Sequence, residues 1–412
     1  MKIKHSSIKM YFKIITFGCK LNQAESEKIA ADLNSFGLVK NKINPDLIII
    51  NACAVTHKAT RDSRQRVAQL KRYYPQADIV VTGCFENKNW SSVDLWIDVK
   101  NKDKIINIIQ KKFNLTKNIN QEIQSTFSGR SRTLIKIQMG CNNFCSYCIV
   151  PFMRGQPKSC PVKQIIKEIK IKERQGFQEV VLTGVNIGLY NNQGNNLVNL
   201  LKNILKETNI PRIRLGSLWP THITSQLINL YTKESRLCPH FHLSVQSGSD
   251  KILKLMRRSY RVKEIKRIVN QCQAKIPYIN FTTDIIVGFP GETEQDFQDS
   301  CQLIKDIPFS KVHIFKYSKR PGTLATNLPN QVAEQVKNKR SQALIKLADK
   351  LAIKNNKRFI GQVLPILWEH PQAGYHSGFT NNYLRVKVES PKNKKLTNTI
   401  GDVKLTKNHL VY

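Results

Sequence analysis

From Tyr11 to Phe113, apolar runs of strand length alternate with longer stretches whose apolar positions recur every three or four residues. Tyr11–Phe17, Leu47–Asn51 and Ile79–Thr82 read as strands. Glu25–Phe36 (ended by Gly37), Thr60–Tyr73 and Lys102–Phe113 read as helices. Short continuous apolar runs fit strands covered on both faces, and a helix after each strand gives parallel order with crossovers. Residues 114–130 are polar and aperiodic and predict a linker.

A longer alternation follows. Its strands are Leu134–Gln138, Glu179–Leu182, Arg212–Leu215, Phe241–Val245, Asn280–Val287 and Lys311–Phe315. One intervening helix, Val162–Gln175, stops at Gly176, and another is announced by the capping pattern Thr293-Glu294-Gln295-Asp296. Six such units predict a partial (β/α)6 TIM-like barrel rather than an eight-fold one; an open sheet is the other reading. After Pro329 the period predicts a helix over Gln331–Arg358. Leu384, Val386 and Val388 then alternate with Arg385 and Lys387, the period of a small antiparallel β-barrel domain.

At 412 residues and 41% hydrophobic, the composition is that of a globular chain of two or three domains. The longest apolar runs, such as Leu47-Ile48-Ile49-Ile50, fall far short of the roughly 20 residues that span a bilayer. Charge changes the picture: 66 Lys+Arg against 29 Asp+Glu leave +37, which suits a polyanionic partner such as a nucleic acid. Abundant Lys, Asn and Ile are also what an AT-biased genome produces. Residues 1–24 are basic but hold no apolar core of a secretory signal, and Met10 reads as an alternative start. The ten cysteines are therefore expected in a cytoplasmic chain, where clusters of Cys serve metals or catalysis more than disulfides.

Cys141-Asn142-Asn143-Phe144-Cys145-Ser146-Tyr147-Cys148 follows the first barrel strand. Three thiolates on one tight loop suit a [4Fe–4S] cluster with one iron left open to chelate a substrate; zinc is the alternative, but the loop offers no fourth ligand. Cys19, Cys53 and Cys84 each follow a strand of the first alternation, so parallel order sets all three at one sheet edge as a second three-thiolate site. Gly18 and Gly83 precede two of them. Cys160, Cys238, Cys272 and Cys301 lack such spacing, and His57 and His313 read as structural. Gly184, Val185 and Asn186, then Gln246 and Ser247, fall at strand C-termini, where barrel sites form; Asp284 lies in the fifth strand and Gly288-Phe289-Pro290-Gly291-Glu292 follows it. Arg257-Arg258 reads either as a phosphate contact or as a solvated basic face.

Cys141–Cys148 after Lys136-Ile137-Gln138 resembles the radical S-adenosylmethionine signature. Cys19, Cys53 and Cys84 upstream and the β-rich tail downstream are similar to the tRNA methylthiotransferases, over nearly the whole chain from Met10. Thr16-Phe17-Gly18-Cys19-Lys20-Leu21-Asn22-Gln23, Asn51-Ala52-Cys53-Ala54-Val55-Thr56, Cys148-Ile149-Val150-Pro151-Phe152-Met153-Arg154-Gly155 and Tyr317-Ser318-Lys319-Arg320-Pro321-Gly322-Thr323 resemble the branch acting on threonylcarbamoyladenosine. The resemblance implies a methylthiotransferase N-terminal domain (residues 10–125), a radical core (126–352) and an RNA-binding TRAM domain (353–412). It implies that Cys141, Cys145 and Cys148 hold the cluster that binds S-adenosylmethionine, with Gly184, Asn186 and Gln246 as cofactor contacts. Cys19, Cys53 and Cys84 would hold a second [4Fe–4S] cluster carrying the sulfur to be inserted. Partners would be tRNA and an electron donor of flavodoxin or ferredoxin type. Met139 and Trp219 stand where the family often carries acids, and Glu86-Asn87 where Ala-Gln is common. Isopentenyladenosine tRNA, a ribosomal-protein aspartate, or iron–sulfur RNA binding without turnover are the competing roles.

Overall fold

The computed structural model describes residues 10–41, 43–85, 88–113, 131–372, 374–389 and 396–411. The expected linker 114–130, the upstream residues 1–9 and Glu86-Asn87 lie outside them. The described residues form two compact units: residues 10–113 with Ile149–Gly155, and residues 131–148 with 156–411.

The first unit is built on a parallel sheet in the order Val39–Lys40, Tyr11–Thr16, Leu47–Ala52, Asp78–Gly83, Leu95–Asp98. Every residue of Leu47–Ala52 is buried, because successive side chains enter opposite cores. Leu47 and Ile49 join Phe12, Ile29, Leu33, Ile105 and Ile109 on one face. Ile48 and Ile50 join Val67, Leu70, Val81 and Trp90 on the other. Helices Lys20–Ser35 and Ile105–Lys112 cover the first face, and His57–Tyr73 covers the second with Thr56 as its cap, accepting the Ala59 N–H at 3.2 Å. The helix expected over Lys102–Phe113 divides into a 3₁₀ turn, Val99–Lys104, and the α-helix; Lys102 is turned inward at the join.

In the second unit, Arg132–Lys136, Glu179–Thr183 and Arg212–Leu215 pair in parallel. Ser217–Leu218, His240–Gln246, Asn280–Val287 and Phe309–Lys316 form a parallel set of four. The run 212–218, interrupted at Gly216, serves both sets, so six strands follow in chain order as a partial (β/α)6 barrel. Leu182, Leu201, Ile213, Leu243, Phe281 and Leu344 fill its core. Helix Glu334–Asn356 lies along the last strand, Asn355 donating to Phe309 O at 3.1 Å.

The tail is a four-stranded antiparallel sheet in the order Arg385–Glu389, Tyr375–Thr380, Val363–Gln372, Ile400–Lys404. A bridge from Leu410 back to Val386 returns the chain to the far edge and closes the sheet. This module covers the N-terminal ends of the barrel strands. Arg212 donates to Pro365 O (2.6 Å) and Phe379 O (3.1 Å), Ser131 Oγ to Trp368 O (2.6 Å) and Asn280 Nδ2 to Asn382 O (2.9 Å). Glu179, fully buried, holds Arg214 through two bonds of 2.7 and 3.0 Å. No helix of the described residues is long and apolar enough to cross a membrane.

Candidate cofactor sites

The register Thr16–Asn51–Thr82 brings three neighbouring strands to one level at their C-terminal edge. Cys53 follows directly on Leu47–Ala52 and Cys84 on Asp78–Gly83, its N–H bonding Ala52 O at 3.1 Å. Cys19 is the N-cap of helix Lys20–Ser35, where a negative group is favoured. Gly18 has φ +88°, and a Cβ there would stand 2.5 Å from Cys53 Sγ; at Gly83, φ +102°, it would stand 2.4 Å from Ala52 O. Both turns thus require glycine. Burial pushes the Cys53 thiol up to about 11, with Cys19 and Cys84 adding to it and the Val55 N–H and Arg154 opposing it. The three cysteines thus follow the C-terminal ends of three neighbouring strands of this sheet.

Beneath them lies a polar network that the sequence reading missed. Asn22 Nδ2 donates to Phe17 O and Ala52 O, both at 2.9 Å, pinning the turns before Cys19 and Cys53. Asn51 Nδ2 donates to Asn22 O (2.8 Å) and Ser26 Oγ (2.9 Å). Arg154, from the segment that follows Cys148 in the chain, donates to both oxygens of Glu25 (2.8 and 3.1 Å) and to Asn22 Oδ1 (2.6 Å). Lys102 bonds Glu25 and, at 2.7 Å, Asn51 Oδ1. Burial alone would raise the Glu25 pKa, but Lys102 and Arg154 bring it down to about 2. Burial, with Arg154's charge adding to it, lowers that of Lys102.

In the second unit, Cys141–Cys148 follows the short strand Gln138–Met139. Gln138 is fully buried and serves as the clamp of this loop. Its Nε2 donates to Met139 O (2.9 Å) and Gly140 O (2.7 Å), and its Oε1 accepts the Asn186 N–H (2.9 Å). Gly184 is explained by the same contact: a Cβ there would lie 2.7 Å from Gln138 O. Ser146 anchors the loop from the other side, its Oγ donating to Leu255 O (2.7 Å) and its carbonyl accepting the Ala325 N–H (2.7 Å).

Cys145 is buried, and Arg258 Nη1 points at its Sγ from 3.6 Å. Burial raises that thiol's pKa against the Arg258 charge, with Cys141 acting alongside burial. The expectation for Arg258 is thereby corrected. It is neither a phosphate contact nor solvated: it is buried, donates to Ser244 O (2.6 Å) and lies 4.0 Å over the Trp219 ring. Trp219, which stands where the family often has an acid, meets Tyr260 edge-on at 5.8 Å and is the platform for this cation.

Two expected contacts stand out at the strand C-termini. Asn186 is 3% exposed, and both polar atoms of its side chain lack a partner among the described residues, the condition of a group awaiting a polar ligand. Gln246 has φ +77° beside a register shift, a strained backbone at a strand end. Asp284 accepts from His242 Nε2 at 3.0 Å, and His313 stands 5.8 Å from the His242 ring. In the loop Gly288–Glu292, the Glu292 carboxylate ties Gly288 N–H to Arg340, each at 2.7 Å. Cys238 and Cys272 are buried core thiols, raised to about 11 and about 12 by burial. Among the described residues no three Cys, His, Asp or Glu side chains converge on a point for a single metal ion. A cubane binds each thiolate at a different iron and asks for no such convergence. The donor chemistry of both three-thiol sets fits [4Fe–4S] clusters.

Residues 135–304 match the Radical SAM superfamily, which is built on S-adenosylmethionine and a [4Fe–4S] cluster, and residues 11–99 match the uncharacterized protein family UPF0004. The threonylcarbamoyladenosine tRNA methylthiotransferase MtaB of Chlamydia pneumoniae is 38% identical over 92% of each chain; the protein of that name from Thermotoga maritima is 36% identical over 90% of each. A tRNA-2-methylthio-N(6)-dimethylallyladenosine synthase of Pelotomaculum thermopropionicum is 35% identical over 87% of this chain and 86% of its own. The fold is shared with the radical S-adenosylmethionine methyltransferase TsrM of Kitasatospora setae, at TM-score 0.55 and 13% identity over 77% of each chain. By near full-length identity, the chain belongs to the tRNA methylthiotransferase family of radical S-adenosylmethionine enzymes.

Proposed function

We propose that this chain adds a methylthio group to C2 of N6-threonylcarbamoyladenosine beside the anticodon of tRNA. The observation that carries the reading is the pair of three-thiol sets, one at the C-terminal edge of the first parallel sheet and one on the loop after Gln138–Met139, in a chain that aligns over 92% and 90% of its length with the two MtaB relatives. In this reading Cys141, Cys145 and Cys148 hold the cluster that binds S-adenosylmethionine, and Cys19, Cys53 and Cys84 hold a second. When bound, these groups supply reductive cleavage of the sulfonium, hydrogen abstraction from the substrate carbon, and the sulfur and methyl to be delivered.

The chain's own residues do the positioning. Gln138 fixes the cysteine loop to the strand end that bears Asn186. The Asn186 amide and the strained Gln246 offer polar groups to the cofactor. Arg258, held over Trp219, directs its charge at Cys145 Sγ. The exposed Arg385 and Lys387 of the tail sheet, within a +37 chain, suit the phosphates of tRNA. The functional modules are residues 10–125, 126–352 and 353–412, the chain works in the cytoplasm, and a flavodoxin or ferredoxin delivers the electron.

The test is mass spectrometry of tRNA nucleosides from a deletion strain carrying this gene or an empty vector. Methylthiolated threonylcarbamoyladenosine should depend on the gene. Methylthiolation of dimethylallyladenosine instead, as the 35%-identical relatives' names describe for those proteins, would overturn the substrate assignment.

A further inference from the structure

We propose that Arg154 and Lys102 are positioning residues for the cluster of Cys19, Cys53 and Cys84: a buried cationic floor that balances its charge and sets its reduction potential. The inference rests on the two-cluster reading above and adds to it the residues that tune the second cluster.

Both cations are 6% exposed and are bonded to one carboxylate, Glu25, also 6% exposed. In their ionised forms, two cations against one carboxylate leave one formal positive charge in excess within the buried triad. Arg154 interacts electrostatically with Cys19, Cys53 and Cys84, and Lys102 with Cys84. Three thiolates around a dipositive cubane carry a single net negative charge, which this excess matches. The floor is also wired to the turns that present the thiols. Arg154 bonds Asn22, whose amide holds Phe17 O and Ala52 O, and Lys102 bonds Asn51, whose carbonyl accepts the Phe17 N–H at 2.9 Å. A nearby positive charge favours the reduced state of a cluster.

The experiment uses the full chain with Cys141→Ala, Cys145→Ala and Cys148→Ala, so that iron reports the second site alone. Anaerobic reconstitution should give about four irons. A background that binds none would refute the two-cluster reading itself. Given a loaded background, Arg154→Gln should move the midpoint to more negative potential. The reduced fraction at a fixed low potential should fall about tenfold, the equivalent of about 59 mV for one electron. Arg154→Lys should restore most of it, Lys102→Met should shift the midpoint in the same direction, and Glu25→Gln in the opposite one. Loss of iron in Arg154→Gln but not in Arg154→Lys also supports the charge role. An unmoved midpoint with iron retained, equal loss of iron in both Arg154 variants, or unfolding of the iron-free protein in all of them would overturn it, marking the triad as packing only.

Discussion

Gly18 is held in its role twice over, by a φ of +88° and by the Cys53 sulfur 2.5 Å from where a Cβ would sit. Gly18→Ala meets the left-handed penalty of about 1–2 kcal/mol as well as the clash. On the two-cluster reading it should therefore leave the N-terminal site empty, and iron per chain should fall from about eight to about four after anaerobic reconstitution. The thiols give a sharper separation of roles. Cys53→Ala should spare reductive formation of 5′-deoxyadenosine and abolish methylthiolated nucleoside in tRNA, whereas Cys145→Ala should abolish both. Both products measured anaerobically on one preparation decide it; modified tRNA from a folded Cys53→Ala protein would end the two-cluster reading. The cysteines could be found from sequence because strand ends order them. Arg154 and Glu25 could not: 129 residues separate partners that meet only after folding. Arg258 was misread for a related reason, since nothing in an Arg-Arg pair shows that an indole 4.0 Å away will shelter one of them.

The strand Leu47–Ala52 was readable because burial on both faces writes a continuous apolar run, Leu47-Ile48-Ile49-Ile50. The edge strand Val39–Lys40 has two residues and no pattern to read. Helix Lys20–Ser35 starts five residues before the expected Glu25, because buried Asn22, Glu25 and Ser26 break the apolar period of its first turns. Those polar positions also set a pH dependence. Glu25 and Glu179 both fall from the ordinary 4.5 to about 2 in the fold, overcoming their burial through Lys102 and Arg154 in one case and Arg214 in the other. Each contributes stability that is fully present above pH 4.5 and lost as pH falls towards 2, of order 3 kcal/mol at about 1.36 per unit. Glu292 acts in the opposite sense: burial raises it to about 6, so its ionised form weakens the fold above that pH. Urea midpoints should drop between pH 4.5 and 2.5. Glu179→Gln should lower the midpoint at pH 7 and flatten that acid drop.

The barrel and its tail sheet behave as a joined body. Arg212 and Arg214 reach carbonyls of the tail, so deleting residues 360–412 would strand buried guanidinium groups along with removing a basic surface. Point changes are the cleaner probe of tRNA contact. Arg385→Ala with Lys387→Ala should weaken tRNA binding and reduce the slope of log affinity against log salt by roughly 1.5–2. S-adenosylmethionine cleavage should be unchanged. Equal affinity and slope in the double variant would place the phosphate-binding surface elsewhere.

The N-terminal unit closes on residues that are made late. Its Glu25 is translated long before Arg154, and everything from residue 114 to Cys148 is synthesised between the body of the sheet and the segment Ile149–Gly155 that completes it. At a ribosome's pace of about 5–20 residues per second, the nascent sheet spends seconds with Asn22 and Glu25 short of their arginine. During that interval its thiols stand over a half-built floor. On the two-cluster reading, iron capture at Cys19, Cys53 and Cys84 is then an event for the time after Arg154 has left the ribosome, so translation itself sets the earliest moment at which that site is whole.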